Sequence, residues 1–229
     1  MSYLFNEQTN WTAQTRRLFI VALALGCAFG AVPRAQAQSI ASPATPILIT
    51  PPEGNSAFLV GHALGTQGYV CLPTSAGAST AAWTVNPARP EATLTQHFFG
   101  QDFQIITHFL SPDTNPNGIA PVPFANATWQ GSFDTSRVWA QVLHKNTIDP
   151  SPDVPSCPNT GSIACLLLQT VGSQAGPTGG TLLSQTTFIQ RLNTKGGSAP
   201  QDGCSTSAEV GNQVLVPYSA DYYFFRKSN

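Results

Sequence analysis

Short runs rich in β-branched and aromatic residues, cut apart by Gly, Pro and Asn, fill the chain from residue 57 to residue 225. They fall at 57–60, 68–72, 82–85, 92–98, 103–110, 127–133, 137–144, 164–171, 181–193 and 213–225. Such runs are strand-sized, and the punctuation between them supplies turn residues rather than helix caps. The rhythm predicts one all-β domain over residues 56–229, an antiparallel sandwich or flattened barrel with long Pro-rich loops.

Alternation is clearest in the last run. Val214, Val216, Tyr218, Ala220, Tyr222 and Phe224 share one face, while Gln213, Ser219 and Asp221 fall on the other. The run at 181–193 is ambiguous, because Leu182, Thr186 and Ile189 also fit helical spacing. Its β-branched residues favour a strand. The stretch SPDTNPNGIAPVPF (111–124) carries four prolines and reads as a long loop, as does 149–158.

Ahead of the domain lie two other segments. Arg16 and Arg17 precede an apolar run over 18–30, and Ala35-Gln36-Ala37 follows, the order of a secretory signal peptide. The run is too short to span a bilayer, which takes about 20 residues. Residues 1–37 are therefore expected to be removed after Ala37, and the twin arginines also fit folded export. Lipidation at Cys27 is an alternative processing route. Residues 38–55, with Pro43, Pro46, Pro51 and Pro52, read as an extended leader. The expected location is periplasmic or extracellular, with no transmembrane segment once the signal is gone.

Beyond residue 37 there are seven basic and ten acidic residues, a net charge of −3. That balance speaks against a nucleic-acid partner. Charged residues are only 9% of the chain, so the surface is largely neutral and polar. Four cysteines remain past the signal: Cys71, Cys157, Cys165 and Cys204. An even number in an exported chain predicts two disulfides. Cys157 and Cys165 flank a turn and are paired locally, leaving Cys71 with Cys204.

No local catalytic or metal motif is written in the sequence. His62, His97, His108 and His144 form neither H-x-H nor H-E-x-x-H, and there is no G-x-S-x-G, P-loop or G-x-G-x-x-G. Neither a metal nor a cofactor is expected. Candidate binding residues are His108, Trp129, Arg191, Asn193 and Asp221. His108 shares a strand face with Ile106 and Leu110, which suits a hydrogen-bonded core histidine. Arg191 shares a face with Leu183 and Ile189, where a guanidinium needs an acceptor, and Asp221 is the expected partner. Asn193 opens the turn Asn193-Thr194-Lys195-Gly196-Gly197, whose alternative role is a backbone nest for an anion.

The order of short motifs carries a further signal. GYVC (68–71), Trp83, EATL (91–94), THF (107–109), TW (128–129), SRVWAQV (136–142), LLLQ (166–169), FIQRLNTKGGSAPQDGC (188–204) and VPYSADYYFF (216–225) occur in that sequence. Together they resemble the domain-of-unknown-function 3455 family of exported bacterial and fungal proteins, over about residues 56–226. The resemblance implies export and a single domain, and brings no activity with it. The chain departs from the family pattern at a Pro-rich insertion between His108 and Trp129, and at Cys165, where Trp is common. Both bear on whether His108 and Trp129 share a pocket.

Three functions follow from these features. A non-catalytic envelope or extracellular binding or structural module, with a possible glycan or envelope partner, comes first. A secreted enzyme, possibly carbohydrate-active, needs residues that converge only in space. A small-molecule carrier needs a sizeable apolar cavity inside a barrel.

Overall fold

The computed structural model describes residues 40–111, 126–146 and 161–228, except for the side chains of residues 87–90, 126 and 146. The expected signal segment and Cys157 lie outside the described residues. Eight antiparallel strands, β1 (Asn55–Pro73), β2 (Ala81–Phe98), β3 (Gln101–Ser111), β4 (Asn126–Gly131), β5 (Arg137–Asn146), β6 (Cys165–Gln174), β7 (Phe188–Gly196) and β8 (Gln213–Lys227), pair in chain order. β8 returns to β1 over most of its length, with Ala63 opposite Ala220, and closes the sheet into a barrel. Closure satisfies the backbone groups that an open sheet would leave at its edges.

The run at 181–193 divides. Residues 182–185 form turns, with the Ser184 N–H donating to Thr181 O and the Thr186 N–H to Leu183 O, and the strand starts only at Phe188. The β-branched residues of this stretch do not outweigh those short-range turn bonds. The early runs, in contrast, merge. Runs 57–60 and 68–72 form the single β1, and runs 82–85 and 92–98 the single β2.

The barrel has two unlike ends. At one, Leu94, Ile106, Val138, Leu183, Ile189 and Phe224 are fully buried and pack together in the interior. Leu183, delivered by the β6–β7 connection, acts as a stopper. It is fixed because its N–H donates to Ser136 Oγ (2.9 Å) while the Leu182 N–H donates to Asp134 Oδ2 (2.8 Å). Ser136 in turn donates to Asp134 Oδ1 through its N–H (3.1 Å) and its hydroxyl (2.8 Å).

At the other end the β7–β8 connection crosses the barrel rim. Cys71 of β1 is bonded to Cys204 of that connection, 133 residues later. Tyr69 donates to Gly197 O (2.6 Å) and the Trp83 indole N–H to Asp202 O (3.0 Å), so the rim is tied to β1 and β2 at three points.

A second apolar layer lies outside the barrel. Ile49, in the short 3-10 turn Ile47–Ile49, is fully buried with Ala57, Leu167, Leu192, Tyr223 and Phe225. Gln190 anchors that turn by donating from Nε2 to Ile49 O (2.7 Å). This layer explains why Tyr223 and Phe225 are buried although they sit on the opposite face of β8 from Tyr222 and Phe224.

Candidate functional site

Toward the rim, the barrel interior is not filled. A cavity of about 600 Å³ lies there, lined by residues of β1 to β8 and by residues 162–164 and 198–199. Leu110, Ala127, Ala140, Ile163, Leu166 and Leu168 make much of its wall. The wall grades from buried Trp129, Ala140 and Tyr222 to exposed Val85, Val142 and Lys145. Its size falls in the range of small-molecule pockets, and its mixture of apolar surface with few polar groups is typical of them.

His108, Trp129 and Tyr222 form its polar corner. The ladder sets His108 of β3 opposite Trp129 of β4, and their rings stack at 4.1 Å with 8° between planes. Tyr222 tilts against both, at 5.8 Å from His108 and 5.9 Å from Trp129. The Pro-rich insertion therefore does not separate His108 from Trp129, because strand pairing fixes their approach. His108 Nδ1 lies 2.9 Å from Thr128 O, which can only accept, so Nδ1 carries the proton. Burial pushes the imidazole down to about 4, with the nearby Arg191 charge adding to the effect, although the Thr128 bond opposes it. His108 is thus neutral at pH 7, with its lone pair on Nε2.

The indole N–H of Trp129 has no hydrogen-bond partner among the described residues, although Trp129 is 99% buried. Indole is a donor only, and a buried donor left unpaired costs about 1–3 kcal/mol. Tyr222 and Tyr218 share a hydroxyl contact of 3.1 Å, and burial holds the Tyr218 phenol far above its ordinary range.

Arg191 reaches the same cavity from β7, where it pairs with Tyr222 across the ladder. Its Nε and Nη2 both donate to Ala164 O, at 3.1 and 2.9 Å. The expected partner Asp221 is elsewhere, since Asp221 pairs with Leu192 and so points to the outer face. There Asp221 accepts from His62 Nδ1 (2.6 Å) and from Asn193 Nδ2 (2.6 Å). Asn193 takes a left-handed φ of 51°, which breaks the alternation after Arg191. The following turn is engaged by neighbours: Thr194 Oγ1 donates to Ile163 O (2.6 Å), and the Gly196 N–H is given to Ser162 Oγ (3.3 Å).

The five candidate residues thus divide into two places. His108, Trp129 and Arg191 meet inside the barrel, whereas Asn193 and Asp221 meet outside it, on His62. Sequence reading missed Tyr69, Lys145 and the 162–164 segment as cavity residues. It took Tyr222 for simple core, though the alternation of β8 already placed it inward, next to any inward Arg191.

The sequence matches the family described as "Protein of unknown function (DUF3455)" over residues 52–226. The chain belongs to the DUF3455 family. In this DUF3455 protein the matched stretch contains the whole barrel up to Arg226, and with it every residue of the cavity. No curated protein and no solved structure matches the chain. The cavity's chemistry must therefore be read from its own residues.

Proposed function

We propose that this DUF3455 protein is a non-catalytic binding protein whose barrel holds a small, largely apolar molecule. The observation that carries the reading is the cavity of about 600 Å³ at one end of a barrel whose other end is closed by a cluster of buried apolar side chains. A barrel of eight strands is just wide enough to fill with side chains or to hold one small ligand. Here the two options share one molecule. Export belongs to the same reading: residues 1–37 serve as the signal, and the Cys71–Cys204 bond suits an oxidising compartment. A carrier working outside the cytoplasm gains from a rim held covalently.

The test is fluorescence titration with N-phenyl-1-naphthylamine, a neutral apolar probe that brightens on leaving water. The expected result is saturable binding at one site per chain in the micromolar range. Ala127→Trp, which places an indole in the cavity wall, should abolish binding while the barrel stays folded by circular dichroism. Binding that survives Ala127→Trp undiminished would reject the cavity as the site.

A further inference from the structure

Among the described residues, the guanidinium lining the cavity has more donors than the walls take up, and the charge of the lining is one-sided. Arg191 and Lys145 are both in the lining, and none of the described lining residues is a carboxylate. Arg191 carries five N–H donors, of which two go to the Ala164 carbonyl among the described residues. Those two bonds hold the guanidinium in a set plane, leaving its other donors oriented before any ligand arrives. The carboxylate nearest in the ladder, Asp221, is engaged on the outer face by His62 and Asn193. Among the described residues the half-buried Arg191 has no fixed counter-charge in the cavity, and such a cation is costly. His108 supplies no counter-charge, being neutral with its Nδ1–H given to Thr128 O.

A ligand that brings negative charge and acceptor oxygens answers the guanidinium. We propose that the barrel takes an amphipathic carboxylate, its acid group on Arg191 and its apolar body against Ile163, Leu166 and Leu168. This inference rests on the reading of the cavity as a ligand chamber and adds the chemical class of the ligand. Arg presents a planar fork that matches a carboxylate in two-point contact, so it selects for the acid rather than for any polar head. The aliphatic wall selects for the tail but does not distinguish its length or branching.

The experiment compares cis-parinaric acid with its methyl ester, which keeps the polyene tail and removes the charge. On the native chain, the acid should bind about ten-fold tighter than the ester, as one charge-assisted contact predicts. Arg191→Gln should remove that preference by weakening the acid alone, and Arg191→Lys should restore part of it. Equal affinity for acid and ester on the native chain overturns the proposal. So does an acid preference that survives Arg191→Gln. If Arg191→Gln does not fold, the native acid-to-ester ratio and its collapse on raising salt from 50 mM to 500 mM decide the matter. A neutral naphthylamine probe that binds while acid and ester do not differ rejects the carboxylate and leaves the chamber standing. Failure of all three probes rejects the chamber itself.

Discussion

At the scale of single residues, His108 makes a pH-dependent contribution whose sign is fixed by its surroundings. Burial lowers its folded value to about 4, against 6.5 in the unfolded chain. Between those values the unfolded state binds more protons, so stability is complete above pH 6.5 and falls as pH drops toward 4. The full effect is about 3 kcal/mol. Urea unfolding of the native chain and of His108→Gln, run from pH 4.5 to 7, should show the native chain losing stability relative to the variant as pH falls. Two parallel curves would mean that His108 is protonated without penalty. The residue scale is also where sequence reading was strongest and weakest. His108 and Arg191 were legible because each polar side chain shared a strand face with apolar residues, whereas Trp129 came from the family resemblance. The Arg191–Asp221 pair failed, since adjacent strands paired at Leu192 and Asp221 send those two side chains outward together.

At the scale of elements, strand identity was legible and strand extent was not. Runs 82–85 and 92–98 looked separate because Pro87 and Pro90 stand between them, and proline cannot donate to a ladder. In the barrel, β2 continues through them. The register steps from Pro90 opposite Gln67 to Val85 opposite Tyr69, so β2 absorbs Pro87 in extra length that β1 does not have to match, while Pro90 keeps its place in the ladder. Likewise β1 runs on through Gly61, His62 and Gly65, because strands on both sides hold it in place. Such support is non-local, so no local propensity reports it.

The rim element offers a direct check. Gly197 has φ +82°, and a Cβ there would stand 2.7 Å from Ile163 Cγ2 and 2.9 Å from Tyr218 Cβ. Gly211, in the same connection at φ +94°, would meet nothing within 4 Å. Gly197→Ala should therefore cost about 2–3 kcal/mol, and Gly211→Ala about 1 kcal/mol, the backbone penalty alone. Chemical denaturation of the two variants measures the gap, and equal losses would mean that the rim is loosely packed.

At the scale of the whole molecule, the all-β class followed from strand rhythm, but the choice of closed barrel over sandwich did not. It depends on β8 finding β1, a contact across nearly the full domain, which no short window encodes. The disulfide works at that same range. Closing a loop of this length restricts the unfolded chain by up to about 5 kcal/mol in the loop-entropy description. Cys71→Ser or Cys204→Ser should accordingly lower the melting temperature by about 10 °C or more, since 1 kcal/mol shifts a domain of this size by about 2–4 °C. A change of under 2 °C would show that the bond is incidental. Secretion from a bacterial host should yield a chain that starts at Gln38 by N-terminal sequencing, and a start elsewhere would displace the proposed signal.

The central claim is that the barrel interior is a binding chamber. Methyl-labelled nuclear magnetic resonance tests it most directly, by recording contacts between bound N-phenyl-1-naphthylamine and the protein. The account predicts intermolecular NOEs to methyls of Ile163, Leu166 and Leu168, with those of Leu94, Ile106 and Leu183 at the packed end silent. NOEs confined to the outer surface, such as the exposed phenylalanines Phe98 and Phe99 at the β2–β3 tip, would contradict it.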